Sequence, residues 1–158
     1  MQLSGKDNLS LPSLERFVTH GLVNWRKETH SVMAALKRVQ IPPRALTEMA
    51  EQFSGGNQQK MIIAKWLMTG SRILLLYDPT RGVDIGTKSE IYKLIDEFAA
   101  MGGAVLFYST DIAELVSMCV EVMVVYRGRV SDVLAGDQVN EANILRSALG
   151  QSAKVGPT

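Results

Sequence analysis

Two short apolar runs separated by one amphipathic stretch constrain this chain more than anything else in it. Ile73-Leu74-Leu75-Leu76-Tyr77 and Ala104-Val105-Leu106-Phe107-Tyr108 are each bounded by turn residues. Between them Ile91, Leu94, Ile95 and Phe98 recur at i, i+3, i+4 and i+7, the spacing of one apolar helix face. Strand, crossover helix and strand predict parallel strands of one layered sheet with a right-handed crossover. Apolar runs without alternation are expected to be buried on both faces, as parallel strands are. Thr87, with Glu90 three residues on, reads as a capping box at the helix start, and Gly102-Gly103 as its end. The fold class is therefore α/β, with helices layered on a mostly parallel sheet.

The remaining segments attach to that unit. Val32, Ala35, Leu36 and Val39 form one apolar face of an earlier helix, stopped by Pro42 and Pro43. From Asn57 to Thr69 a second helix carries a wide apolar face of Met61, Ile62, Ala64, Leu67 and Met68. After Tyr108 another helix starts near Thr110, with Ile112, Leu115, Val116 and Cys119 inward. Val122–Tyr126 and Arg129–Val133 flank Arg127-Gly128 as a β-hairpin. Asn140 caps a last helix that Gly150 ends. The expected organisation is a helical subdomain over residues 1–70, an α/β part over 71–150 and a disordered tail over 151–158.

Composition excludes several function classes. The formal net charge of +1 gives no drive toward nucleic acid or an acidic membrane surface. One cysteine, Cys119, excludes an internal disulfide framework and makes an intracellular setting the default. No apolar run approaches the ~20 residues of a membrane-spanning helix, so a membrane role is expected to come through a partner. His20 and His30 have no Cys or carboxylate cluster around them in sequence and are expected to be surface or packing residues; no metal site is expected.

The segment richest in chemistry is Phe53-Ser54-Gly55-Gly56-Asn57-Gln58-Gln59-Lys60. Two glycines ahead of a helix let a phosphate approach the backbone closely. The amides and positive dipole at a helix start favour the anion, and Ser54 can add a hydroxyl donor. In isolation Gly-Gly reads as a turn into a helix. The context changes that reading. About 20 residues on comes Leu74-Leu75-Leu76-Tyr77-Asp78-Pro79-Thr80-Arg81-Gly82-Val83-Asp84, and Ser109-Thr110-Asp111 follows the next apolar run.

In order and spacing these segments resemble the signature, the acidic strand with D-loop, and the switch loop of ATP-binding cassette (ABC) proteins. The Asn-Gln-Gln-Lys form of the signature is similar to that of the carbohydrate importers, the ribose, galactose and xylose type. The resemblance covers roughly residues 1–135. It implies the C-terminal part of a P-loop NTPase cassette, with ATP and Mg²⁺ held in a dimer of cassettes. Each ATP lies between the phosphate loop of one cassette and the signature of the other. Ser54, Gly55, Gly56 and Asn57 would then contact a nucleotide held mainly by a partner. Asp84 falls on the D-loop aspartate at the dimer seam, with a solvated loop Asp as the plain alternative. Residues 10–50 would face a membrane permease, and the chain would sit in the cytoplasm at the inner face of the plasma membrane.

The chain departs from the family in three places. The pattern G-x-x-x-x-G-K-[ST] is absent from these residues. Gly5-Lys6 reads as a loop, within a stretch, Met1 to Leu11, similar to the segment just after the glutamine loop. The front of a cassette is thus expected to lie outside this sequence, through truncation of a longer protein or reading frame. Next, the family ends its acidic strand in Asp-Glu, Asp for the Mg²⁺ shell and Glu for the attacking water. Pro79-Thr80 sets the register, so Tyr77 takes the Asp position. A neutral phenol is a poor ligand for a hard cation. Asp78, the candidate catalytic carboxylate, is one methylene shorter than Glu, and catalytic geometry tolerates little misplacement; its plain alternative is a loop cap. Finally, Thr110 stands at the switch position where the family usually has His. A hydroxyl can bond phosphate but carries no charge, and the alternative is that Thr110 caps the following helix.

These departures resemble the second, degenerate cassette of a fused sugar-importer ATPase. The chain alone is expected neither to hydrolyse ATP nor to bind ATP or Mg²⁺ tightly, and to be poorly soluble or oligomeric, because a sheet without its front strands exposes edges and core. Its expected partners are another ATP-binding cassette and a permease, and no nucleic acid. A non-enzymatic interaction module is the rival reading. A cassette of DNA repair or chromosome condensation would carry long coiled coils, and no sustained heptads occur here.

Overall fold

The computed structural model describes residues 3–151; the expected tail, apart from Gln151, lies outside them. The chain forms two compact units, divided between Leu106 and Phe107.

In the first unit, α1 (Gly5–Ser10) is followed by a short antiparallel hairpin of β1 (Val18–Thr19) and β2 (Leu22–Val23). Then come α2 (Trp25–Arg38), α3 (Gly55–Met68), β3 (Ile73–Tyr77) and α4 (Ile85–Ala100), leading into β4 (Ala104–Tyr108). Gly5-Lys6, expected as a loop, opens α1 under a Ser4 cap. A side chain at Gly5 would collide with the Ala45 carbonyl, so glycine is what lets α1 pack this closely. The amphipathic face of α2 behaves as its spacing predicts. Val32, Leu36 and Val39 are buried in one cluster with Leu9, Ile41, Phe53, Met61 and Leu94.

The prolines do not stop α2. It ends earlier, because Gln40 takes φ 56°. The Ile41 N–H then donates to the Leu36 carbonyl at 2.9 Å and the Gln40 N–H to Lys37 at 3.2 Å. This is a Schellman arrangement with Gln where Gly is usual. Glu28 on α2 is only 1% exposed. A carboxylate there must be paired, and Lys6 Nζ lies 3.0 Å from it while Ser10 Oγ donates at 2.7 Å. The inward face of α3 differs from the expected one by one position. Ile63 is buried where Ile62 was expected, alongside Met61 and Ala64. α3 is packed by α1, α2 and α4 rather than on one side, which widens the face it must bury.

β3 and β4 pair in a two-stranded sheet, with α4 between them in sequence. The face Ile91, Leu94, Ile95 and Phe98 is buried as the periodicity predicts. Gly102 (φ 86°) and Gly103 close α4, their N–H groups donating to Ala99 and Phe98. The expectation that both strands are buried on both faces is not met. Leu74 is buried, but Leu75 and Tyr77 are 73% and 74% exposed, and Leu106 is 67% exposed. A strand is buried on both faces only where layers cover both, and among the described residues only one side of β3 is covered.

In the second unit, α5 (Ile112–Met118) precedes the hairpin of β5 (Glu121–Tyr126) and β6 (Arg129–Ala135), and α6 (Glu141–Ala148) follows. Arg127 and Gly128, at φ 49° and 77°, make the two-residue turn that matches strand twist. Val122, Val124, Leu134 and Ile144 form the core, with Ile112, Leu115, Cys119 and Val139 packed on it. Val116, expected inward, is exposed; α5 is only two turns long and buries a narrower face. Asn140 caps α6 as expected, accepting from the Asn143 N–H at 3.0 Å.

Candidate functional site

The start of α3 is where the sequence places its strongest chemistry. The helix begins at Gly55, two residues before the expected Asn57, so both glycines lie inside its first turn. Ser54 is the N-cap, and its Oγ accepts from the Asn57 N–H at 3.4 Å. The Gln58 N–H donates to the Ser54 carbonyl at 2.9 Å. Amides in the first turn of a helix have no carbonyl four residues back, so Gly55 and Gly56 present N–H groups suited to an anion. The two glycines differ. A Cβ on Gly55 would meet nothing within 4 Å, whereas one on Gly56 would lie 2.8 Å from Thr87 Cγ2 and 2.9 Å from Thr87 Oγ1. Ser54 and Gly55 are exposed, and Gly56 and Asn57 half-buried.

The end of β3 lies in the same unit. Asp78 takes φ 42°, a left-handed conformation that Asp tolerates better than most residues. Its carbonyl accepts from the Arg81 N–H at 3.1 Å. Pro79 and Thr80 are buried beneath this loop, which Gly82 (φ 74°) turns toward α4. The Thr87–Glu90 capping box does not form. The N-cap of α4 lies three residues earlier, at Asp84, whose Oδ1 accepts from the Thr87 N–H at 2.9 Å and Oδ2 from the Thr87 hydroxyl at 2.8 Å. Asp caps well, and Asp84 is followed at once by residues that can turn into a helix. The Thr87 backbone donor, then its hydroxyl, hold the Asp84 carboxyl below its ordinary range.

In the second unit Thr110 is exposed and does not cap α5. Asp111 does, accepting from the Ala113 N–H at 3.1 Å. The loop is braced by buried Glu114, which accepts from Ser109 Oγ at 2.6 Å, while Ser109 Oγ accepts from the Asp111 N–H at 3.0 Å. Cys119 is half-buried, and burial pushes its thiol pKa up. His20 and His30 are exposed. Among the described residues no three His, Cys, Asp or Glu side chains are grouped to hold a metal.

One feature was not legible in the motifs. Lys60 Nζ lies 2.7 Å from Glu90 Oε2, joining α3 to α4. Lys60 closes the glycine-rich motif in sequence, but nothing in sequence pairs it with a Glu thirty residues away.

Among the described residues, the start of α3 has the chemistry an anionic phosphate would need. The start of α3 offers an exposed hydroxyl, first-turn amides and open space beside Gly55. The β3 end does not fit Mg²⁺ in the same way, because a phenol, Tyr77, precedes Asp78.

The fold is that of ATP-binding cassettes. Over 91% of this chain and 59% of the other, it superposes on a nucleotide-free ATP-binding cassette from an ABC transporter with a TM-score of 0.76 at 17% identity. A dimeric cassette solved after hydrolysis with ADP and phosphate gives 0.73 at 23% identity, over 84% of this chain and 56% of that one. The pattern of the family described as ABC transporter matches residues 2–81, just over half of the sequence, and the chain belongs to that family. Among its relatives are ribose import ATP-binding proteins. That of Rhizobium johnstonii is 40% identical over 94% of this chain and 29% of its own length. That of Geobacillus kaustophilus is 39% identical over 95% and 30%. That of Bacillus subtilis is 36% identical over 95% and 30%. The chain thus spans about three-tenths of the length of the curated relatives it matches.

Proposed function

We propose that this chain supplies the signature side of an ATP site in a sugar-importing ABC transporter, beside a second cassette that holds the nucleotide on its own phosphate loop. The observation that carries the reading is the open start of α3, with an exposed Ser54 cap and space beside Gly55. Ser54 would donate to a phosphate oxygen, and the Gly55 and Gly56 amides would meet the same anion. Asn57 would line the approach, Asp84 would lie at the cassette seam, and Thr110 would take the switch position. ATP with Mg²⁺ is the cofactor of that assembled site, with the metal held largely by the other cassette. The names of the relatives support ribose as cargo; a membrane permease as partner and a place at the cytoplasmic face of the membrane are what the family resemblance implies.

Asp78 is the carboxylate this chain could offer for polarising a water at its own strand end. Tyr77 beside it, and the absence of a phosphate-loop motif from these residues, support little or no hydrolysis there, since phosphoryl transfer rests on positioning and charge stabilisation. Tyr77 also favours a second reading, a cassette-derived interaction module that makes no use of nucleotide.

One experiment separates the two. An intact cassette whose own signature serine is replaced by alanine is mixed with this chain, and Mg-ATP turnover is measured. Turnover that rises with added chain, and does not rise with its Gly55→Asp variant, is expected. Identical turnover with and without the chain sinks the proposal and leaves the interaction module. The chain by itself is expected to show no turnover; clear turnover abolished by Asp78→Asn would reverse the assignment of Asp78.

A further inference from the structure

Resting on the reading of the α3 start as a nucleotide-facing edge, we propose that Gly56, Lys60, Thr87 and Glu90 form a two-point latch. It fixes the Ser54–Asn57 turn to the Asp84 cap, so that signature and D-loop are presented to a partner's nucleotide as one rigid edge.

The first point is a close approach. Gly56 lies in the first turn of α3, and Thr87 in the first turn of α4. A Cβ at position 56 would sit 2.8 Å from Thr87 Cγ2 and 2.9 Å from its Oγ1, closer than real Cβ contacts come, and 3.3 Å from its Cβ, a tight approach that a shift of a few tenths of an ångström relieves. Glycine at 56 is therefore what lets the Thr87 side chain come this close to α3, whatever a ligand asks of it. Gly55 has no such neighbour. The two glycines divide the work: the first leaves room outward, the second lets the helices touch. Thr87 is also the residue that donates twice to Asp84, at 2.9 and 2.8 Å. A displacement of Thr87 by Gly56 is therefore passed to the Asp84 carboxylate through two hydrogen bonds.

The second point lies one turn further along each helix. Lys60 is four residues after Gly56 and Glu90 three after Thr87, so both are on the same facing sides. Their ion pair spans 2.7 Å, with side chains 6% and 40% exposed. A nearly buried ammonium needs that carboxylate, so the pair resists sliding or rotation of α3 against α4. With one contact the helix starts could pivot about each other; two contacts a turn apart remove the pivot.

These are positioning residues, and the test reads position without nucleotide. Amide hydrogen exchange of the full chain is followed by NMR at Asn57 and Gln58 on α3 and at Thr87 and Lys88 on α4. Glu90→Gln keeps the shape of a partly exposed side chain and removes its charge. Exchange is expected to quicken about tenfold at both helix starts together, with α2 amides unchanged. Gly56→Ala should do the same, and Thr87→Ala added to it should restore slow exchange at Asn57 by giving the methyl room. Three results overturn the latch. One is exchange that quickens at one helix start and not the other. Another is protection lost equally through α2, which marks general destabilisation. The third is a Gly56→Ala effect that Thr87→Ala does not relieve. Because no ATP is present, failure here is distinct from failure of the trans-site reading, which the mixed-cassette turnover measures.

Discussion

The start of α3 and the end of β3 are two ends of cassette machinery on one compact unit, and they have been treated differently by the sequence. At α3 the cap, the glycines and the open space are all in place. At β3 the strand, the following Pro-Thr and the turn at Gly82 are kept, but the two residues that would do the chemistry are Tyr77 and Asp78. On the proposed reading, the half of the site that would meet a nucleotide held elsewhere is kept while the half that would work on its own is altered. The backbone scaffolds of both are intact, so the difference lies in side-chain chemistry rather than folding.

The contrast can be broken most sharply at Gly55. Gly55→Asp has room in this chain and places a negative charge at a helix start, where the dipole favours it. Thermal unfolding should therefore be unchanged or slightly higher, while stimulation of an intact cassette should vanish. A variant that stimulates as well as the parent would show that α3 does not face phosphate.

Next in size is a core test on the helix that follows the acidic loop. Ile91 is fully buried, and Ile91→Ala should cost about 2–5 kcal/mol in denaturant unfolding. Leu75→Ser on the bare side of β3 should stay within about 0.5 kcal/mol, since that side chain already meets water. A large loss at Leu75 would mean that this face is covered in solution, for example by a second copy. Smaller again is the cap. Ser54→Ala should lower stability by about 1 kcal/mol, read from the same transition.

The smallest effect is on Asp84. Its carboxyl is held below the ordinary value of 3.8 by the Thr87 backbone and hydroxyl, so the folded chain favours the charged form. The cap's contribution is present above that ordinary value and is lost as pH falls through the lower folded one. The Thr87 amide shift should titrate with a midpoint below 3.8; a midpoint at or above it would remove the cap from the account.

Much of the molecule could be read in advance, for reasons that vary by segment. The α4 face, the Arg127-Gly128 hairpin and the Asn140 cap follow from local rules, each needing only residues within a few positions. Errors arose where local signals competed. Thr87 and Asp84 are both good caps, and the choice fell to Asp84 because Thr87 could donate to it twice. Pro42-Pro43 looked like the stop for α2, but Gln40 had already turned the chain. Asp111 took the capping position expected for Thr110.

The order of motifs, the α/β pattern and the family therefore belong to the sequence itself, because periodicity and short-range chemistry are written in neighbouring residues. The structure alone decided which glycine faces outward and which touches Thr87, which side of β3 is bare, and that Lys60 meets Glu90. Those are contacts between segments distant in the chain. They depend on how helices settle against one another, and no local spacing encodes that.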